Sequence, residues 1–332
     1  MKIIAELGNS HEGSLGLAKC MIKAAAECGA TTCKIQTHIF QAESLPDAPN
    51  PPYFDSESRK DYFERTSFNK DQYGELISYA ESLNVEFISS PFSVEALKFL
   101  LDLGMKTVKI PSGEVSNMLL INAVAAEPVN VIISSGMSTE IELDRAIQVL
   151  KAGHINDLTV LQCTSEYPCP PEHVGLDRIM HFKNRYSCEV GFSDHTLSES
   201  IPAIAVYAGA TVIEKHFTLS KLAYGSDAPN SLEPEEFKRM VRYISEAEVL
   251  LNSDYDKNEG NHYIDYMKTV FEKSLVYSTD LQEGHVLCYD DFAAKKPGDG
   301  LPTCKYSNFI GGVLKRAVDK DKKVELGDIY EC

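Results

Sequence analysis

Eight short runs rich in β-branched residues recur along the first two thirds of this chain, at 3–7, 32–36, 86–90, 107–110, 129–134, 158–163, 189–193 and 211–216. Helical apolar periodicity follows each, at 15–28, 71–83, 94–103, 118–126, 139–151, 175–184, 200–208 and 234–250. Strands separated by helices cannot form tight hairpins, so the crossovers return each strand parallel to the last. Eight consecutive units over about 250 residues predict a (β/α)8 TIM barrel. An open doubly wound sheet is the alternative, but it more often carries a Gly-rich first turn, which is missing here.

After residue 251 the texture changes. A polar stretch with Asp254, Asp256, Lys257, Asn258 and Gly260 reads as a linker. Strand-like runs at 274–277, 286–288 and 292–294 then alternate with turns, as in a small β-rich module of about sixty residues. The expected division is a catalytic barrel at 1–251, a linker at 252–271 and a C-terminal module at 272–332. Within the barrel, the long Pro-rich, acidic segment 40–68 is expected to be functional, because barrel loops of that length usually are.

With 332 residues, 43% hydrophobic and 24% charged, the composition is that of a globular protein with a substantial core. A net charge of −17 argues against nucleic-acid or anionic-membrane partners. It does not exclude an anionic small substrate, since a few lysines can make one pocket positive. No apolar run is long enough to span a membrane, and Met1 leads straight into the first strand. A cytoplasmic protein without a signal peptide is expected. Nine cysteines with no CxxC pair point to reduced thiols, with Cys20, Cys28 and Cys163 expected in the core.

In barrels the active site lies at the C-terminal ends of the strands, and those ends are polar here. His195 and His216 close consecutive strands, so the fold sets them side by side as candidate ligands of a divalent metal. A lone strand-end histidine is more often a hydrogen-bonded core residue; the pair favours metal. Glu214 shares the inward face with His216 and can orient a ligand. Lys34 and Lys109, with Ser90, Ser112, Ser134 and Ser193 nearby, suit a phosphorylated or carboxylated substrate. Gln36 lies on the same strand face as Lys34. Ser135, Thr196 and Asp194 read as caps or turn formers. His11 and His38 read equally as substrate contacts or loop packing.

Taken in order, several strings resemble the sialic acid synthase family. They are His11-Glu12-Gly13, Lys34-Ile35-Gln36-Thr37-His38, Ser90-Pro91-Phe92, Lys109-Ile110-Pro111-Ser112-Gly113-Glu114, Ser135-Gly136-Met137, Cys163-Thr164 with Tyr167-Pro168, Ser193-Asp194-His195-Thr196, Glu214-Lys215-His216-Phe217 and Gly225-Ser226-Asp227 with Ser231-Leu232-Glu233-Pro234. The tail, with Lys296-Pro297-Gly298-Asp299-Gly300 and Ile310-Gly311, resembles that family's antifreeze-like (SAF) β-clip domain. The resemblance implies condensation of phosphoenolpyruvate with an N-acyl mannosamine-type sugar to a nine-carbon acid, with release of phosphate. It implies manganese at His195 and His216, with magnesium or cobalt as alternatives. It implies substrate-binding or catalytic roles for Glu6, Lys34, Gln36, Ser90, Lys109, Ser112, Glu114, Ser134, Tyr167, Ser193 and Asp227. A homodimer is implied in which one chain's C-terminal module covers the other's barrel mouth.

Three departures stand out. Ser10 replaces an Asn common before the His-Glu-Gly string. Ser165, kept among the substrate-binding candidates, replaces an Asn found in many N-acetylneuraminate synthases. A late arginine that family members extend to the neighbouring subunit falls at Asp319, with Arg316 three residues earlier. The Ser112-Gly113-Glu114 string suits N-acetylneuraminate or legionaminate synthesis better than pseudaminate synthesis. Two other readings remain: a metal-independent Schiff-base pyruvate aldolase using Lys34 or Lys109, and a sugar-binding barrel without catalysis.

Overall fold

The computed structural model describes residues 1–50 and 57–330, and the chain divides into two units, Met1–Ser253 and Asp254–Cys332. In the first unit, strands β1 (Lys2–Gly8), β2 (Thr32–Thr37), β3 (Glu86–Pro91), β4 (Thr107–Ile110), β5 (Asn130–Ser134), β6 (Asp157–Cys163), β7 (Glu189–Asp194) and β8 (Val212–His216) close in chain order into a parallel barrel. The expected (β/α)8 architecture is thus present, with element bounds close to those read from periodicity.

Among the described residues, ten α-helices accompany these strands: α1 (Leu15–Glu27), α2 (Phe40–Glu43), α3 (Arg59–Thr66), α4 (Lys70–Ser82), α5 (Val94–Asp102), α6 (Met118–Ala125), α7 (Glu140–Ala152), α8 (Asp177–Tyr186), α9 (Ile201–Tyr207) and α10 (Pro234–Leu251). The short α2 and α3 lie within the long segment 40–68, of which 51–56 fall outside the described residues. Side-chain caps start many of the helices. Ser14 and Ser93 accept from Leu17 and Ala96 amides, and Asn69 and Thr139 form capping boxes with Gln72 and Glu142. Each satisfies amides the first turn leaves unpaired and is worth about 1 kcal/mol.

Alternation of side chains sorts the strands into two cores. Outward residues such as Ala5, Leu7, Ile35, Val108 and Val160 pack beneath helix faces, including Ala18, Met21, Ile22 and Ala25 of α1. Cys28 and Cys163 are buried as expected, but Cys20 is exposed, because its position on α1 turns away from that face. Inward residues Ile4, Ile88, Ile132, Leu161 and Val212 form a separate apolar plug. Gly191 sits against it: a Cβ there would lie 2.3 Å from the Val212 carbonyl oxygen and 2.5 Å from Leu161 Cδ2. Two residues further along the same strands come Glu6, Ser90, Ser134, Cys163 and Glu214. Because the side-chain period is 2, they stand on the same inner face, directly above the plug.

The second unit has its own small core of Leu275, Tyr277, Leu281, Leu287, Phe309, Leu314, Val318 and Val324. It begins with α11 (His262–Phe271), so part of the stretch expected as linker is helical. Strands β9 (Ser274–Tyr277) and β10 (Phe292–Lys295) pair antiparallel. The run at 286–288 is not a strand; Val286 makes a single bridge to Val313. Arg316 is engaged inside its own unit, donating to buried Asp328 at 3.0 Å. Among the described residues, no helix is long and apolar enough to cross a membrane.

Candidate active site

The polar layer opens into a cavity of about 650 Å³ lined by Glu6, Lys34, Gln36, Ser90, Lys109, Ser112, Glu114, Ser134, Tyr167, Ser193, His195, His216 and Asp227. Of the residues expected as catalytic, substrate-binding or metal-binding, Ser165 alone does not line it; its hydroxyl sits 2.9 Å from that of Ser112 and backs it. Strand register explains most of this convergence. Glu6 stands level with Lys34 on β2 and His216 on β8, Gln36 with Ser90, and Ser193 with Glu214. Asp227 arrives from the loop after β8. A Cβ on Gly8, where φ is +53°, would lie 2.1 Å from Asp227 Oδ2, so only glycine leaves room for that carboxylate.

Two lysines and two glutamates alternate across the cavity floor, each almost fully buried. Lys34 Nζ lies 2.6 Å from Glu6 Oε2 and 3.8 Å from Glu214 Oε2, and donates to Ser90 Oγ at 3.3 Å. Lys109 Nζ donates to Glu214 Oε1 at 3.2 Å, and Ser193 Oγ donates to the same oxygen at 3.0 Å. Gln36 Nε2 donates to Glu6 Oε1 at 3.0 Å. Burial works against the charge on Lys34, but Glu214 and Glu6 outweigh it and hold its pKa above the ordinary value. Lys109 has one carboxylate in contact, and burial, with Lys34 adding, pulls its pKa down. Glu214 resists burial because Lys109 and Lys34 hold its pKa low. Burial raises the pKa of Glu114, which accepts from Asn117 Nδ2 at 2.7 Å.

The rings of His195 and His216 lie side by side, tilted at 55° to one another, with centroids 5.5 Å apart. His195 Nδ1 donates to the Thr164 carbonyl at 2.7 Å, which leaves Nε2 with its lone pair. Burial, then the neighbouring His216, lowers the His195 pKa to about 3, so the ring is neutral. His216 Nδ1 is buried and makes no hydrogen bond among the described residues; Ser134 Oγ and Glu214 Oε2 share that condition. Two imidazoles, each with a nitrogen left open, fit a divalent metal. No group of three or more His, Cys, Asp or Glu side chains arranged for a metal occurs among the described residues, so the fit rests on these two rings.

Other expected residues take packing roles. His11 is buried against Phe68 at 4.5 Å, and its Nδ1 accepts from the Gly13 amide, so it is loop packing and not part of the cavity lining. Asp194 accepts from the Thr196 amide and pairs with Lys215 at 2.6 Å, both fully buried on the outer face. Ser135 donates to the Leu161 carbonyl. His38 lines the cavity, as do Glu43, Arg59, Tyr62 and Phe63 from the long segment. That segment's length and composition marked it, but nothing in its sequence singled out Glu43 or Arg59.

The NeuB family profile matches residues 21–256. The N,N'-diacetyllegionaminic acid synthase of Campylobacter jejuni is 33% identical, over 97% of this chain and 98% of its own. The enzyme of the same name from Legionella pneumophila is 34% identical, over 94% of this chain and 90% of its own. Among solved structures, N-acetylneuraminic acid synthetase from Leptospira borgpetersenii in complex with citrate superposes with a TM-score of 0.69 at 29% identity, covering 80% of this chain and 90% of that one. With these similarities spanning nearly its whole length, the chain belongs to the NeuB family, the sialic acid synthases.

Proposed function

We propose that this enzyme condenses phosphoenolpyruvate with the open-chain form of an N-acyl mannosamine-type sugar, giving a nine-carbon nonulosonic acid and phosphate by C–O cleavage. The observation that carries the reading is the buried Lys34 and Lys109 pair beside His195 and His216 in one cavity. The relatives named above support it.

Lys34 and Lys109 hold the carboxylate and phosphate, and burial strengthens each contact relative to water. Ser90, Ser112 and Ser134 donate to the remaining anionic oxygens, and Ser193 does so by turning its one hydroxyl hydrogen away from Glu214; Ser134 Oγ, without a hydrogen-bond partner among the described residues, is free for this. A divalent cation, manganese in preference to magnesium or cobalt, would be held by His195 and His216 and would polarise the sugar aldehyde as a Lewis acid. The enol carbon attacks that aldehyde, and positive charge develops at the phosphate-bearing carbon. Glu6 or Glu114 stabilises that charge or takes the proton of the water that adds there. The raised pKa of Glu114 suits proton exchange. The tetrahedral adduct then expels phosphate. Gln36, Tyr167 and Asp227 line the sugar side.

The metal, the acceptor, an antifreeze-like β-clip identity for the C-terminal unit, and a domain-exchanged homodimer in the cytoplasm all belong to this proposal. Its test incubates protein, manganese and phosphoenolpyruvate with a panel of mannosamine derivatives and measures phosphate. Release with at least one acceptor is expected, and its loss on chelation; no release with any would refute the assignment. A Schiff-base aldolase draws on the lowered pKa of Lys109. Borohydride trapping with pyruvate would reveal it, and the Lys109–Glu214 ion pair argues against it.

A further inference from the structure

Asp194 and Lys215 form an ion pair that the chemistry above leaves unused. Their contact is 2.6 Å, and both side chains are wholly excluded from solvent. On the outer face of the barrel their strand neighbours are Phe192, Ile213 and Phe217, all in the apolar layer beneath the helices. Among the described residues, every other ion pair with both side chains no more than 8% exposed lines the cavity. Those pairs are Lys34 with Glu6 and Glu214, Lys109 with Glu214, and His38 with Glu43. Asp194 and Lys215 do not line it. Taking two charges into apolar surroundings costs about what their attraction returns, so stability alone does not account for the pair.

Its position does. Asp194 immediately precedes His195, and Lys215 immediately precedes His216. The paired register of β7 and β8 ends with Asp194 opposite Lys215, so His195 lies one residue beyond the ladder. His216 is still paired, opposite Glu6 on β1. Side chains hold what the ladder leaves loose. Lys215 Nζ donates to Asp194 Oδ2 and to the Thr196 carbonyl. Asp194 in turn accepts from the Thr196 amide at 2.8 Å and from the Thr196 hydroxyl at 3.1 Å. The residues on either side of His195 are thus both bonded to the residue before His216. The Thr164 carbonyl, from the end of β6, sets the turn of the His195 ring.

We propose that Asp194, Lys215 and Thr196 are positioning residues for the histidine pair: they fix the span between the His195 and His216 backbones and so set the affinity for a divalent cation. None of the three lines the cavity, and they act only through the two imidazoles. The proposal rests on the metal assignment within the synthase reading and adds what holds its two ligands in place. A histidine that must be ordered as the ion arrives lowers affinity by the free energy of ordering it; one already braced does not.

The test measures manganese binding to the full-length protein without substrate, from the electron paramagnetic resonance signal of the free ion, beside each variant's melting temperature. Asp194→Asn combined with Lys215→Met removes both charges at once, so neither is left buried alone. It should weaken manganese binding roughly 10–100-fold, the usual loss when a group that orients a metal ligand is removed. Thr196→Val keeps the ion pair but removes the hydroxyl's hydrogen bond to Asp194. A loss of roughly threefold is expected there, and Thr196→Ser should keep wild-type affinity. A folded double variant that binds manganese as wild type does, even with a lower melting temperature, makes the pair structural only and overturns the proposal. Should the double variant fail to fold, Thr196→Val decides, and unchanged affinity in it overturns the proposal equally. Both results leave the synthase reading standing. Wild-type binding no tighter than that of a His195→Ala, His216→Ala double variant sinks the metal assignment itself, and the brace with it.

Discussion

The plug and the floor of the cavity are two levels of one barrel interior, two residues apart along the same strands. Ile4, Ile88, Ile132, Leu161 and Val212 fill the lower level; Glu6, Ser90, Ser134, Cys163 and Glu214 occupy the upper one. Both are almost entirely excluded from solvent. The lower level gains from burial at roughly 1.5–3 kcal/mol per large side chain. The upper level draws little from it, because desolvating two lysines and two glutamates costs about what their mutual attraction returns. Stability is thus concentrated beneath the site, and the floor is free to exchange protein ion pairs for an anionic substrate.

Four outcomes sharpen or break that contrast. The largest belongs to the upper level: His195→Ala or His216→Ala should cut turnover by roughly 10³-fold or more, since several kcal/mol of aldehyde polarisation is lost. Circular dichroism should show the fold intact; unchanged rates would remove both residues from the site. Next, Ile132→Ala in the plug should cost about 2–5 kcal/mol in urea unfolding while kcat stays within a few-fold. A large loss of kcat without loss of stability would show that the levels are not separable.

The two glycines give an intermediate pair. Gly191→Ala forces a methyl into the Val212 carbonyl and should destabilise by about 1–3 kcal/mol. Gly8→Ala displaces Asp227 and should lower kcat/KM more than it lowers the unfolding midpoint. The reverse ranking would contradict the contrast.

The smallest effect is in pH. Burial, with Arg65 adding, lowers the His11 pKa to about 4 from 6.5. Between these values the unfolded chain binds a proton that the folded chain does not, so this contribution to stability is complete above 6.5 and is lost as pH falls to about 4. His11→Asn keeps an acceptor for the Gly13 amide without titrating. Its stability should fall less steeply over that window, by about one proton, and an identical slope would show that His11 is not the titrating group.

Much of this was legible in the residues. Period 2 within each strand assigns Lys34, Gln36, Lys109, Ser193, Glu214 and His216 to the inside, and closure of the barrel brings their ends together. Less regular segments were not legible in the same way. Nothing periodic marks Glu43 or Arg59, which reach the cavity from short helices in a long connection. Ser165, a departure from the family pattern kept among the substrate-binding candidates, stands behind Ser112, because a strand-end position does not say how far the following loop projects. Cys20 was misplaced by a helix face, and 286–288 by a turn that permits only one bridge.

Taken alone, the order of residues determined the architecture of the barrel and the identity of its inner surface, because alternation and strand–helix rhythm are local properties of a chain. Tertiary structure decided which polar atoms were left without hydrogen-bond partners among the described residues, as Ser134 Oγ, His216 Nδ1, Glu43 Oε2 and Arg59 Nε show. Whether a buried hydrogen-bonding group is satisfied depends on neighbours far away in the chain, and only folding fixes those distances.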